Sequence, residues 1–168
     1  MSVGTMLREG LERHGAPPKA VAAEINYSID AVYAAMNNKR RIPKDAGPKL
    51  AGMHPMAGLA VALEATGYNK LFSIIEGDRH PQTMIRRVEK EDFEADEALK
   101  PVSWIIIDKN RPEDLTPEEV VMMKAAVKEI CDRVINELNL VIELDDRYRL
   151  GLMDVIRTKE KAPQKRSY

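Results

Sequence analysis

The chain has 168 residues, and its 26 Lys and Arg against 27 Asp and Glu leave a formal net charge of −1. An apolar share of 44% is enough for a packed core, while a single cysteine excludes both an internal disulfide framework and a thiolate zinc cluster. No stretch approaches the roughly 18 consecutive apolar residues that a membrane helix needs, and no leader pattern opens the chain, so a cytoplasmic protein is expected.

Few aromatics and abundant Ala, Leu, Val, Ile, Glu and Lys favour helix over sheet, and the expected fold class is all-α. Val3, Leu7 and Leu11 recur at steps of four, which predicts a first amphipathic helix to about His14, stopped by Gly15 and Pro17-Pro18. Ala20, Val21, Ala22 and Ile25 give a short helix from Pro18. Asn26-Tyr27 reads as a tight turn, and Ser28 reads as the N-cap of a further helix through Ile29, Val32 and Met36. Two short helices joined by three or four residues make a helix-turn-helix. Pro43 then breaks the pattern, Asp45 is the expected cap of a short helix with Leu50 and Met53, and Met56 to Ala65 is apolar all round, hence buried, closing at Gly67.

From Tyr68 to Gly77 the chain reads as an apolar junction. Asp78 or His80 is expected to cap a helix from Pro81 that Pro101 ends, with Val102 to Asp108 a buried extended connector. Thr116-Pro117-Glu118-Glu119 combines an N-cap, Pro at the first helical position and a capping-box Glu. Behind it Val120, Met123, Val127, Ile130, Val134 and Val141 form one apolar row and Cys131, Ile135, Leu138 and Ile142 a second. A separate helix with Leu144, Tyr148, Leu152, Val155 and Ile156 should follow. This organises the chain into 1–70, 71–158 and a basic disordered tail at 159–168.

Ala22, Asn26, Ser28 and Val32, with the run Met36-Asn37-Asn38-Lys39-Arg40-Arg41-Ile42-Pro43, resemble the phage-repressor-like helix-turn-helix family, the Cro and repressor type also called XRE. Asn26 stands where that family usually carries Gly, and tolerates positive φ. Pro18 stands where it often carries Gln and cannot make that residue's contact. The layout of a helix-turn-helix followed by an acidic helical half also resembles phage CII-type regulators. The resemblance implies sequence-specific control of transcription at an operator, with double-stranded DNA as partner.

In such a domain the N-terminal end of the second helix enters the major groove. The outward positions are Ser28, Ile29, Asp30, Tyr33 and Asn37, expected to face bases. Lys19, Asn38, Lys39, Arg40, Arg41 and Lys44 are expected on phosphates. The charge is divided accordingly: residues 1–70 hold nine Lys and Arg against six Asp and Glu, and residues 71–168 seventeen against twenty-one. The row Val120, Met123, Val127, Ile130, Val134 and Leu138 is expected to oligomerise, as repressor-like proteins do to read two half-sites.

No enzyme is expected. The cluster Glu76-Gly77-Asp78-Arg79-His80 reads as a capped helix start, and there is no P-loop, GxSxG or glycine fingerprint. Cys131 reads as a small buried hydrophobe. His14, His54 and His80 lack paired-ligand spacing, so no metal, cofactor or small-molecule ligand is expected. The rival reading is a helix-turn-helix that has lost DNA binding and serves as a protein-docking scaffold, motivated by Asp30 and by Ala31, Ala34 and Ala35.

Overall fold

A computed structural model describes residues 1–157 as α-helices joined by turns and longer irregular segments, with no strand among the described residues. The expected tail at 159–168 lies outside them. The elements are α1 (Val3–His14), α2 (Pro18–Ile25), α3 (Ile29–Met36), α4 (Gly47–Met53), α5 (Pro55–Thr66), α6 (Pro81–Ile105), a 3₁₀ turn at Pro112–Asp114, α7 (Pro117–Tyr148) and α8 (Leu152–Arg157). None of the described helices is long and apolar enough to cross a membrane.

Local chemistry sets most helix ends. Ser2 caps α1, which ends at Gly15 with φ 77°; Asn26, at φ 61°, ends α2; Gly67 ends α5. Thr116 and Glu119 form the expected capping box of α7, and His80 rather than Asp78 caps α6 through Nδ1. Asp78 instead accepts from the backbone of His80 and the hydroxyl of Thr83.

Five expectations fail. Asp45 does not cap α4, which starts two residues later without a side-chain cap, because its carboxylate accepts the hydroxyl of Tyr27 at 2.8 Å. Pro101 does not end α6: its ring lies on an exposed side, while Ile105 is buried one turn beyond. Val102 to Ile105 is therefore helix, not an extended connector. Leu144 and Tyr148 complete α7 in one continuous 32-residue helix, and the break falls at Arg149 and Gly151, both at positive φ. Cys131 is half-buried rather than enclosed.

The core gathers Met6, Leu7 and Leu11 of α1, Val21 and Ile25 of α2, Val32 and Met36 of α3, Leu50 of α4 and Met56, Ala57 and Ala60 of α5. The fifth helix, expected to be buried, is so along this face, and Leu59 and Val61 are partly covered. A Cβ on Gly10 would meet the backbone nitrogen of Ala57 at 2.7 Å, so glycine there lets α1 approach α5.

The helices α6 and α7 pack along one another, and the C-terminal half of α7 also docks on the five-helix unit. Ile142 joins its core. Asn139, fully buried, accepts from the backbone of Ile75 at 3.0 Å and donates to the carbonyls of Ser73 and Ile135. Around this contact Arg13 meets Glu9, Glu143 and Asp146, and Arg79 meets Glu9 and Glu143. His54 caps α5 by accepting from Met56 through Nδ1, so its other nitrogen carries the proton donated to Asp146 at 2.7 Å.

Burial acts to raise the pKa of Asp146, but hydrogen bonds from His54 and Arg13 outweigh it and hold the carboxyl below its ordinary value of 3.8. A carboxylate with a depressed folded-state pKa contributes stability above its ordinary range and loses it as the pH falls through that range. Asp146→Asn should therefore melt below the wild type at pH 7, and the gap should narrow as thermal melts are repeated toward about pH 3. A gap independent of pH would contradict this account of the contact.

Candidate nucleic-acid interface

The α2–α3 connection is three residues long. Asn26 turns left-handed, the amide of Tyr27 reaches back to the carbonyl of Ala22 at 2.9 Å, and Ser28 Oγ accepts from the amide of Ala31 at 3.2 Å. Val32, Ala35 and Met36 fix the inner face of α3 in the core. Its outer face is left to Ile29, Asp30, Tyr33 and Asn37, all exposed, with Ile29, Tyr33 and Asn37 in steps of four. Ser28 is exposed as well, but its hydroxyl oxygen is engaged as the cap. Asp30 sits in the first turn of α3, where its charge suits the positive end of the helix dipole.

The end of α3 is equally determined. The amides of Lys39 and Arg40 return to the carbonyl of Ala34, and Asn38 takes the left-handed position at φ 56°. Its side chain turns inward: Oδ1 accepts from the amide of Gly4 and Nδ2 donates to Ser2 Oγ, both at 2.8 Å. Asn38 thus differs from the other residues expected on phosphates, because its carboxamide ties α1 to α3.

Lys39, Arg40, Arg41 and Lys44 project from the segment that follows, and Lys19 from the first turn of α2; all five are exposed. Among the described residues none of the five forms an ion pair. Several cations of the helical half do: Lys90, Lys100, Lys109, Lys128 and Arg133 each pair with carboxylates. Arg40 lies over the ring of Tyr27, 5.8 Å from its centroid, and the Tyr27 hydroxyl donates to Asp45. That bond to a carboxylate raises the Tyr27 pKa. Tyr27 therefore orients one of the free cations, a role that its place in a turn did not signal. Arg8 is a second residue missed in the sequence; it reaches α3 from 28 residues away.

Carboxylate oxygens of Glu91, Glu129 and Asp132 approach one another between α6 and α7. Lys90, Lys128 and Lys70 already pair with them, which makes this an ion-pair network. The six α7 residues expected to oligomerise are nowhere fully buried, and Val127 is 58% exposed. Trp104, Ile107 and Val121, near the turn between α6 and α7, are also exposed.

Compared with known proteins, the chain matches no family model, no curated protein and no solved structure.

Because Asn38 is a left-handed residue with two inward hydrogen bonds, Asn38→Ala should cost about 1–2 kcal/mol in chemical denaturation. Asn38→Gly should lose less, since glycine accepts the backbone conformation. Equal losses would show that the carboxamide, not the conformation, carries the cost.

Proposed function

We propose that α2 and α3 form a helix-turn-helix of the phage-repressor-like type and that the protein is a DNA-binding transcriptional regulator. The observation that carries this reading is the group of five exposed, unpaired cations flanking a short helix whose outer side chains are Ile29, Asp30, Tyr33 and Asn37. Cations not paired with carboxylates are free to displace counterions from phosphates, which is the main source of DNA affinity. With α3 in the major groove, Lys39, Arg40, Arg41 and Lys44 fall on the backbone beyond its end and Lys19 on the backbone beside α2. Tyr33 and Asn37 supply hydrogen bonds to base edges or phosphates, and Ile29 an apolar contact for a thymine methyl.

Asp30 and the alanines of α3 favour a second reading, a docking scaffold for another protein. The two readings separate on salt. A regulator should bind random duplex DNA with an affinity that falls steeply as salt rises, whereas a docking scaffold should ignore duplex DNA at low salt. In anisotropy titrations, replacing both Arg40 and Arg41 with Ala should lower the slope of log affinity against log salt by up to about two. An unchanged slope would remove both residues from the phosphate contacts.

The regulator acts as a homo-oligomer through the α6–α7 hairpin, which supplies two DNA-binding units for two half-sites. Support comes from the incompletely covered row Val120, Met123, Val127, Ile130, Val134 and Leu138. Val127→Asp should reduce the mass measured by light scattering while leaving helicity unchanged; an unaltered oligomer would exclude this row.

A further inference from the structure

Beside α3 lies a concavity of about 410 Å³ between α1, the start of α2 and the outer side of α3. Leu11, Val21 and Met36 line it with apolar surface, and Arg8, Glu12, Tyr33 and Asn37 with polar groups. Arg8 Nη2 donates to the carbonyl of Met36 at 3.1 Å and to Oδ1 of Asn37. Met36 is the last residue of α3, so its carbonyl has no partner within the helix and lies at the negative end of the helix dipole. A guanidinium is well matched to that position.

The consequence falls on Asn37. Arginine carries donors only, so it can meet a carboxamide through the oxygen and never through the NH₂. Asn37 is therefore held with Oδ1 against Arg8, and among the described residues Nδ2 has no protein acceptor. A free asparagine both accepts and donates, the pattern that pairs with N6 and N7 of adenine. Arg8 takes one of the two lone pairs on that oxygen, and the NH₂ is the group left without a protein partner.

We infer that Arg8 is a positioning residue that fixes the Asn37 carboxamide with its oxygen toward Arg8 and its NH₂ as the group offered to a hydrogen-bond acceptor on DNA. The acceptor is O6 or N7 of guanine, N7 of adenine, O4 of thymine, or a phosphate oxygen. This inference rests on the DNA-binding reading above.

The test uses the full-length wild type, Arg8→Met, Asn37→Ala and the double variant. Arg8→Met keeps the aliphatic stem and removes the donors. Each protein is taken through selection from a random duplex library and then anisotropy on the selected and on random duplexes, with thermal melts to confirm folding. Asn37→Ala should weaken wild-type binding roughly tenfold, at one base position if the acceptor is a base and on all sequences if it is a phosphate. Arg8→Met should alter binding in the wild-type background and have less than about a twofold effect when Asn37 is already Ala. Arg8→Lys, which keeps a donor, should restore part of the effect.

Side-chain amide NMR gives a readout without DNA: Arg8→Met should shift the Asn37 carboxamide resonances and speed the rotation of that group. Additive effects of the two substitutions, or Asn37 carboxamide resonances unchanged by Arg8→Met, would overturn the inference while leaving DNA binding intact. A wild type that fails to bind any duplex at low salt would overturn the DNA reading and this inference together.

Discussion

Four carbonyls at the end of any α-helix have no partners within it, and in a helix as short as α3 that is half of its residues. How those carbonyls are satisfied governs everything exposed nearby. The amides of Asn38, Lys39 and Arg40 take Ala34 and Ala35, and Arg8 takes Met36. This fold-back turns the chain sharply and leaves Lys39, Arg40 and Arg41 exposed. Gly4 closes the arrangement from α1: a Cβ there would meet the carbonyl of Ala35 at 2.6 Å, so only glycine lets the first turn of α1 lie against the end of α3. The exposed face of α3 is thus held by α1 at the same time as the inner face is held by the core.

The second half of the chain is attached to this unit through α7 and through the segment before α6, where Ile74 enters the core and Arg79 meets Glu9. Ile142 enters the core, Asn139 satisfies backbone groups of the junction at Ser73 and Ile75, and an ion-pair cluster surrounds them. Burial lowers the pKa of Arg79, whereas Arg13, facing Asp146, Glu143 and Glu9, has its pKa raised despite burial. The contact therefore depends on every partner being present, since an unpaired buried charge is far costlier than an exposed one. The N-terminal part of α7 packs on α6 and retains exposed apolar side chains such as Val121 and Val127. Exposed apolar side chains on a long helix are surface available to a second chain.

What the sequence disclosed depended on range. Gly15, Asn26, Ser28, Gly67 and the Thr116 box act within four residues of themselves, so the ends of α1, α2, α3, α5 and the start of α7 were legible. Asp45, Pro101 and the continuity of α7 were misread because distant contacts override local preference: Tyr27 for the first, and burial of Ile105 and Ile142 for the others. The same division holds at the interface. The helix-turn-helix resemblance put Ser28, Ile29, Asp30, Tyr33 and Asn37 on the outward side of α3, while the inward turn of Asn38 and the hold of Arg8 on Asn37 depend on residues about thirty positions away. No spacing rule reports such a pairing.

The most direct test of the account is backbone NMR of the full chain titrated with a duplex at low salt. The account predicts shifts confined to the outer face of α3, the 39–44 segment and the start of α2, all reversed by added salt. Shifts centred on the α6–α7 hairpin, or none at all, would contradict it.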